Sequence, residues 1–175
     1  MTHEWNVRSL DVTRFADATG HARLLTPLAG LQRVQEACGH GPQAADEPQC
    51  EWSIDGQTRG SGSRLQHWMR LQAALTVTQT CQRCLEPMPV HIEVDRWFRF
   101  VADEATALAE DDDCEEDLLA VSAEWDTLGL LEDELLLAMP LIVRHADCQA
   151  PHSPALNDDL PHAFAALASL NLPKT

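Results

Sequence analysis

The sequence predicts an α+β protein: an antiparallel β-sheet, or a partly closed barrel, with short helices packed against it. Two observations point to the sheet and one to the helices. Leu65, His67, Met69, Leu71, Ala73, Leu75 and Val77 alternate with Gln66, Trp68, Arg70, Gln72, Thr76 and Thr78, the two-residue period of a strand with one buried face. A second run of strand character, residues 89–101, follows the eight-residue connection CQRCLEPM, which suits an antiparallel pair. Elsewhere, short stretches carry apolar residues at helical spacing. At 175 residues with 45% hydrophobic content, residues 1–175 fit a single domain.

The elements follow in chain order. WNVRSLDV (5–12) reads as a short strand, and DVTRFADATG then loosens into polar residues before Gly20. Leu24, Leu25, Leu28, Leu31 and Val34 predict a helix over about 27–38, with Pro27 tolerated in its first turn. GHGPQAADEP (39–48) is a flexible loop by its Gly and Pro content. CEWSIDGQT reads as a strand with a turn at Asp55–Gly56, and RGSGS (59–63) as a second break. After the long hairpin, DEATALAEDDDCEED (103–117) holds acids that repel one another, so a mobile, solvated loop is expected. A helix over about 128–139 carries Leu128, Leu131, Leu135 and Met139 on one stripe, places Glu132, Asp133 and Glu134 toward solvent, and stops at Pro140. HAFAALASLNL (162–172) predicts a closing helix too short to stand without a partner surface.

Charge divides the chain. The net charge is −16, but residues 1–99 hold ten Arg against eleven acids, whereas residues 100–175 hold Arg144 and Lys174 against seventeen. Such a balance argues against whole-surface attraction to nucleic acid and leaves room only for a local basic patch; no DNA partner is expected. The N-terminus has no basic region followed by an apolar core, and no apolar run approaches the roughly 18 residues of a membrane span. A cytoplasmic protein is expected, in which six Cys are free thiols or metal ligands rather than a disulfide framework.

Cys81 and Cys84 form a CxxC at the hairpin end, and on sequence alone this is half a metal site, a redox dithiol or an accident. His145 and Cys148 form an HxxC of the same spacing in LIVRHADCQAPHSP, with His152 as a reserve for His145. If the pairs meet, they supply the four ligands of one structural zinc. The plain alternative is two partly buried thiols and an unrelated loop. A thioredoxin-like dithiol is disfavoured because LEPMPV, with its two prolines, discourages the helix that would lower the thiol pKa.

No phosphate loop, dinucleotide fingerprint, HExxH or GxSxG is present, so no catalytic residue is nominated and no enzyme activity is expected. The candidate nucleic-acid surface is the polar sheet face. Arg64, Trp68 and Arg70 share one strand face, and Arg83, Arg96 and Arg99 lie on or near the neighbouring arm, although alternation separates Arg96 from Arg99. The candidate protein-interaction residues are Asp111, Asp112 and Asp113.

At CQRCLEPMPVHIEV, at LEDELLLAMPLIVRHADC and at PHAFAALASL, the chain resembles the YceD family (DUF177), the large ribosomal RNA subunit accumulation proteins. The blocks match in order and spacing over about residues 65–172, except that Pro161 precedes His162 instead of standing beside Phe164. The resemblance implies a non-enzymatic factor needed for 23S rRNA accumulation and large-subunit biogenesis, which binds rRNA or an assembly intermediate. It offers no catalytic residues to carry over. Some relatives have extra cysteines in the loop after the helix, where this chain has only Cys148 with His145. The alternative is an acidic, protein-only adaptor or chaperone for a basic ribosomal protein.

Overall fold

The computed structural model describes residues 5–38, 47–62 and 65–151. Its centre is a five-stranded sheet in the order β1-β2-β3-β4-β5: His21–Pro27, Gln49–Arg59, Gln66–Thr80, Pro87–Val101 and Asp117–Ala120. The first four strands are antiparallel and β5 runs parallel to β4, so the sheet is mixed and open rather than a barrel. The alternation read in the sequence is the pleat of β3, whose Met69, Leu71, Ala73, Leu75 and Val77 are buried. They sit opposite Phe98, Arg96, Val94, Ile92 and Val90 of β4, so that all but one of these cross-strand pairs join apolar side chains.

Helices cover this apolar face. Helix α1 (Val12–Asp17) lies over β2 and β3, and α2 (Gln32–Cys38) packs on α4 (Thr127–Ala138), which crosses β3 and β4. Asp126 caps α4 by accepting from the Leu128 and Gly129 N–H groups, each at 3.1 Å. Leu128, Leu131 and Leu135 then enter the core at the spacing read from the sequence. Each such fully buried side chain contributes on the order of 1.5–3 kcal/mol. At one corner Phe15 is fully buried between two glycines: a Cβ on Gly20 would lie 2.3 Å from its ring, and one on Gly56 2.6 Å away.

The structure corrects several local expectations. Residues 5–12 do not form a strand; Leu10 makes one isolated bridge with Trp125, and α1 begins at Val12. Leu24 and Leu25 lie in β1, so the helix expected over 27–38 begins only after a short 3-10 turn, Leu28–Gly30. Gly56 does not end β2. Its missing side chain makes room for Phe15, and its N–H donates to Gly20 O at 2.8 Å, which carries the strand on to Arg59.

The acidic run is also more ordered than its charge suggests. Helix α3 (Glu104–Glu110) starts where Asp103 accepts from Thr106 N at 2.8 Å, a 3-10 turn spans Asp111–Asp113, and β5 follows. On α4, Glu132 and Glu134 do not face solvent; their side chains are 14% and 11% exposed and pair with Arg33 and Arg96. Arg64, His152, the closing helix over 162–172 and most of the loop over 39–48 lie outside the described residues.

Candidate metal centre

The turn between β3 and β4 builds the first half of the centre. Cys81 N–H donates to Glu86 O at 2.9 Å and Leu85 N–H to Cys81 O at 2.9 Å, closing a tight knuckle. Leu85 takes a positive φ of 64°, uncommon for a bulky side chain, and this lets the chain curl around the Cys81 sulfur. Arg83 N–H then points at Cys81 Sγ at 3.5 Å.

The second half arrives from beyond α4. After Pro140 the chain leaves regular structure and is fastened to the knuckle by Gln82 N–H donating to Val143 O at 2.8 Å. Gln82 Nε2 reaches Leu141 O at 3.4 Å, His145 N–H reaches Cys81 Sγ at 3.5 Å, and Arg83 Nη1 donates to Cys148 O at 2.9 Å. Four potential ligand atoms, from Cys81, Cys84, His145 and Cys148, consequently lie within 4.8 Å of one another. Cys81 Sγ is 3.7 Å from Cys148 Sγ, and Cys84 Sγ is 3.3 Å from His145 Nδ1. The corresponding edges of a tetrahedral zinc site are about 3.8 Å for sulfur to sulfur and about 3.5 Å for sulfur to nitrogen. The donor set and its spacing therefore fit zinc.

Electrostatics point the same way. Burial pushes the Cys81 thiol up, but backbone N–H groups of Cys84, Arg83 and His145, together with the Cys84 thiol, outweigh it and bring the group to about 5. Cys148 moves up, first through burial and then through the neighbouring Cys81 and Cys84 sulfurs. A pocket that favours one thiolate while crowding further negative charge is suited to a cation at its centre.

Among the described residues, the nominated arginines Arg70, Arg83, Arg96 and Arg99 each have a polar partner. Arg70 binds Asp95 in a two-pronged pair, Nε to Oδ1 at 2.7 Å and Nη2 to Oδ2 at 2.6 Å, and holds that carboxyl below its usual range. Arg96 lies on the helix-covered face between Asp117 and Glu134, whose carboxyl burial pushes up. Arg99 pairs with Glu110 at 2.6 Å and its side chain is 11% exposed. Arg83 belongs to the knuckle.

Trp68 is 5% exposed and lies under Arg59, whose guanidinium is 4.0 Å from the Trp68 ring and 4.6 Å from that of Trp97. Arg59 and Trp97 were missed by sequence reasoning. In sequence Arg59 sits in a turn-like run, and only the β2–β3–β4 register lays its guanidinium across both rings. Asp111, Asp112 and Asp113 are all exposed on their 3-10 turn.

No solved structure matches the chain. No helix among the described residues is long and apolar enough to cross a membrane. A family model described as "Large ribosomal RNA subunit accumulation protein YceD" matches residues 69–171, a span that contains all four clustered ligands and more than half of the chain. The chain belongs to the YceD family, the large ribosomal RNA subunit accumulation proteins.

Proposed function

We propose that this protein is a non-enzymatic cytoplasmic factor that supports 23S rRNA accumulation by binding an assembly intermediate of the large ribosomal subunit through its protein component. The observation that carries the choice of protein over RNA is the engagement of the nominated arginines that lie among the described residues. Arg70, Arg96 and Arg99 each face a carboxylate, and Arg83 faces a carbonyl. Phosphate binding would have to displace those partners, and the net charge of −16 opposes the approach of RNA. A basic ribosomal protein meets neither obstacle, and the exposed Asp111, Asp112 and Asp113 suit it.

Retention measured at increasing salt, against 23S rRNA fragments and separately against RNA-free large-subunit proteins, tests this reading. Expected is retention of a basic protein that weakens with salt and in the triple Asp→Asn variant of Asp111, Asp112 and Asp113. Retention of the RNA fragments, weakened by substituting Arg70 or Arg96, would return the function to direct RNA contact.

We infer further that Cys81, Cys84, His145 and Cys148 hold one structural zinc. Four protein ligands leave no open position for a substrate or a water, which is the arrangement of a structural rather than a catalytic site. Metal analysis of protein purified without chelator should give about one zinc per chain, lost in Cys81→Ser. A metal-free, fully reduced wild type would end the proposal.

A further inference from the structure

Residues 140–148 have no helix or strand to hold them, yet they are fixed along their length to the knuckle. Gln82 takes Val143 and Leu141 through their carbonyls, Arg83 takes Cys148 O, and His145 and Cys148 turn their ligand atoms inward. The side chains that this clamp presents run against ordinary burial. Val143 is tucked in at 7% exposure, while its neighbours Leu141 and Ile142 are 96% and 70% exposed. Leu137, in the last turn of α4, is 79% exposed. A single exposed Leu needs no explanation, but three large aliphatic side chains within six residues, Leu137 at the end of α4 and Leu141 and Ile142 on a segment held in place from behind, form a surface.

The chemistry beside Leu137 is acidic, while Arg144 stands exposed two residues beyond Ile142. At Leu137 runs a groove of about 340 Å³ between β4 and α4, lined by the charged Glu93, Asp95, Arg96 and Glu134 together with the apolar Val94, Leu137 and Ala138. Arg96, the cation in its lining, is held by Asp117 and Glu134, Asp95 is held by Arg70, and Glu93, whose side chain is 75% exposed, meets the His91 ring, so acids outnumber cations there. An apolar strip bordered by carboxylates, in the half of the chain with seventeen acids against two basic residues, complements a segment that is apolar on one side and basic on the other.

We propose that Leu137, Leu141 and Ile142 form a docking surface for a basic, partly apolar segment of a large-subunit ribosomal protein, displayed by the metal-clamped knuckle. This rests on both the protein-contact reading and the zinc reading above. It gives the metal a role beyond holding the hairpin end. Loss of the metal frees the Cys148 end of the segment, so the apolar side chains are no longer held out together.

The test places a photoreactive side chain at position 142 of the full chain and offers RNA-free proteins of the large subunit, with 23S rRNA in a parallel arm. Expected is a crosslink to a basic protein of the subunit, with retention of that protein falling on the order of tenfold or more in Leu141→Asp and Ile142→Asp. Both positions are exposed, so the variants should keep their zinc and their melting temperature. Zinc-stripped wild type should lose the crosslink as well.

A crosslink only to RNA, to residues 152–175 of the same chain or to a second copy overturns the proposal by naming another occupant. Equal retention by wild type and both variants overturns this surface and leaves the protein-contact reading standing. Wild type that retains no subunit protein removes both. A crosslink unchanged in zinc-stripped protein overturns the metal-dependent display.

Discussion

The two ends of the β3–β4 hairpin are held by opposite means. At the open end, near Met69 and Phe98, Phe15 fills the space left by Gly20 and Gly56, and close packing is joined there by the Gly56 N–H to Gly20 O bond and by a His67–Asp17 contact at 3.1 Å. At the turn end, four polar ligand atoms from two distant segments meet around a fully buried Cys81 sulfur. Close packing needs neither a cofactor nor a particular pH, and it fails only when volume changes. A ligand cluster depends on protonation and on a bound cation, so its strength is set by the medium. One hairpin can thus have a permanent end and a conditional one, and the exposed Leu141 and Ile142 lie at the conditional end.

The largest effect should come from breaking the packed end. Phe15→Ala removes a fully buried ring and leaves a cavity, so a loss of about 3–5 kcal/mol is expected in denaturant unfolding. That loss should be the same with and without chelator. A chelator-dependent loss would mean that the two ends are coupled.

Next comes the metal. Zinc removal should lower stability by about 3–4 kcal/mol when free zinc exceeds the dissociation constant a hundredfold to a thousandfold, and Cys81→Ser should abolish the dependence on zinc. The metal-free protein should then show the pH sensitivity of the bare cluster. The folded Cys81 thiol lies at about 5 against an ordinary 9.0, so its stabilisation is complete above about pH 9, declines as pH falls, and is gone once pH has passed through about 5. Cys148 is shifted upward and acts with the opposite sign, withdrawing stability above its ordinary value. Thermal melting of metal-free protein across this range should lose its acid-side slope in Cys81→Ala, while Phe15→Ala keeps it.

The smallest effect belongs to the middle of the hairpin. Arg70 and Asp95 join β3 to β4 on the open sheet face, and their side chains are 36% and 50% exposed. A double-mutant cycle through Arg70→Ala and Asp95→Ala should give a coupling of about 0.2–1 kcal/mol, because solvent screens the pair. A larger coupling would make the outer face a third fastening.

Much of this was legible in residue order. β3, β4 and α4 each follow one sustained period, two residues or 3.6, and each period has one apolar face with one place to go. The CxxC and HxxC spacings named the four side chains that cluster because a turn with that spacing directs two side chains to the same side. Misreadings arose where a local signal met a distant requirement. Gly56 looked like a turn because the ring that needs its empty space is forty-one residues earlier, at Phe15. The acids of 103–117 looked too repulsive for structure, but Asp103 supplies a cap and Glu110 takes Arg99 as a partner, which the β4 pleat brings to it. For Arg70, Arg96 and Arg99, sequence displays the charge and does not show the carboxylates opposite them.

What residue order determined by itself was the periodicity of the main elements, the side-chain types of the Cys and His pairs and the division of charge, since all three are local or additive along the chain. Tertiary structure decided that β5 runs parallel to β4, that Arg70, Arg96 and Arg99 have carboxylate partners, and that Leu141 and Ile142 face outward. Those outcomes depend on which groups meet across tens of residues, and contact energies between distant groups exist only once the chain has closed around its core.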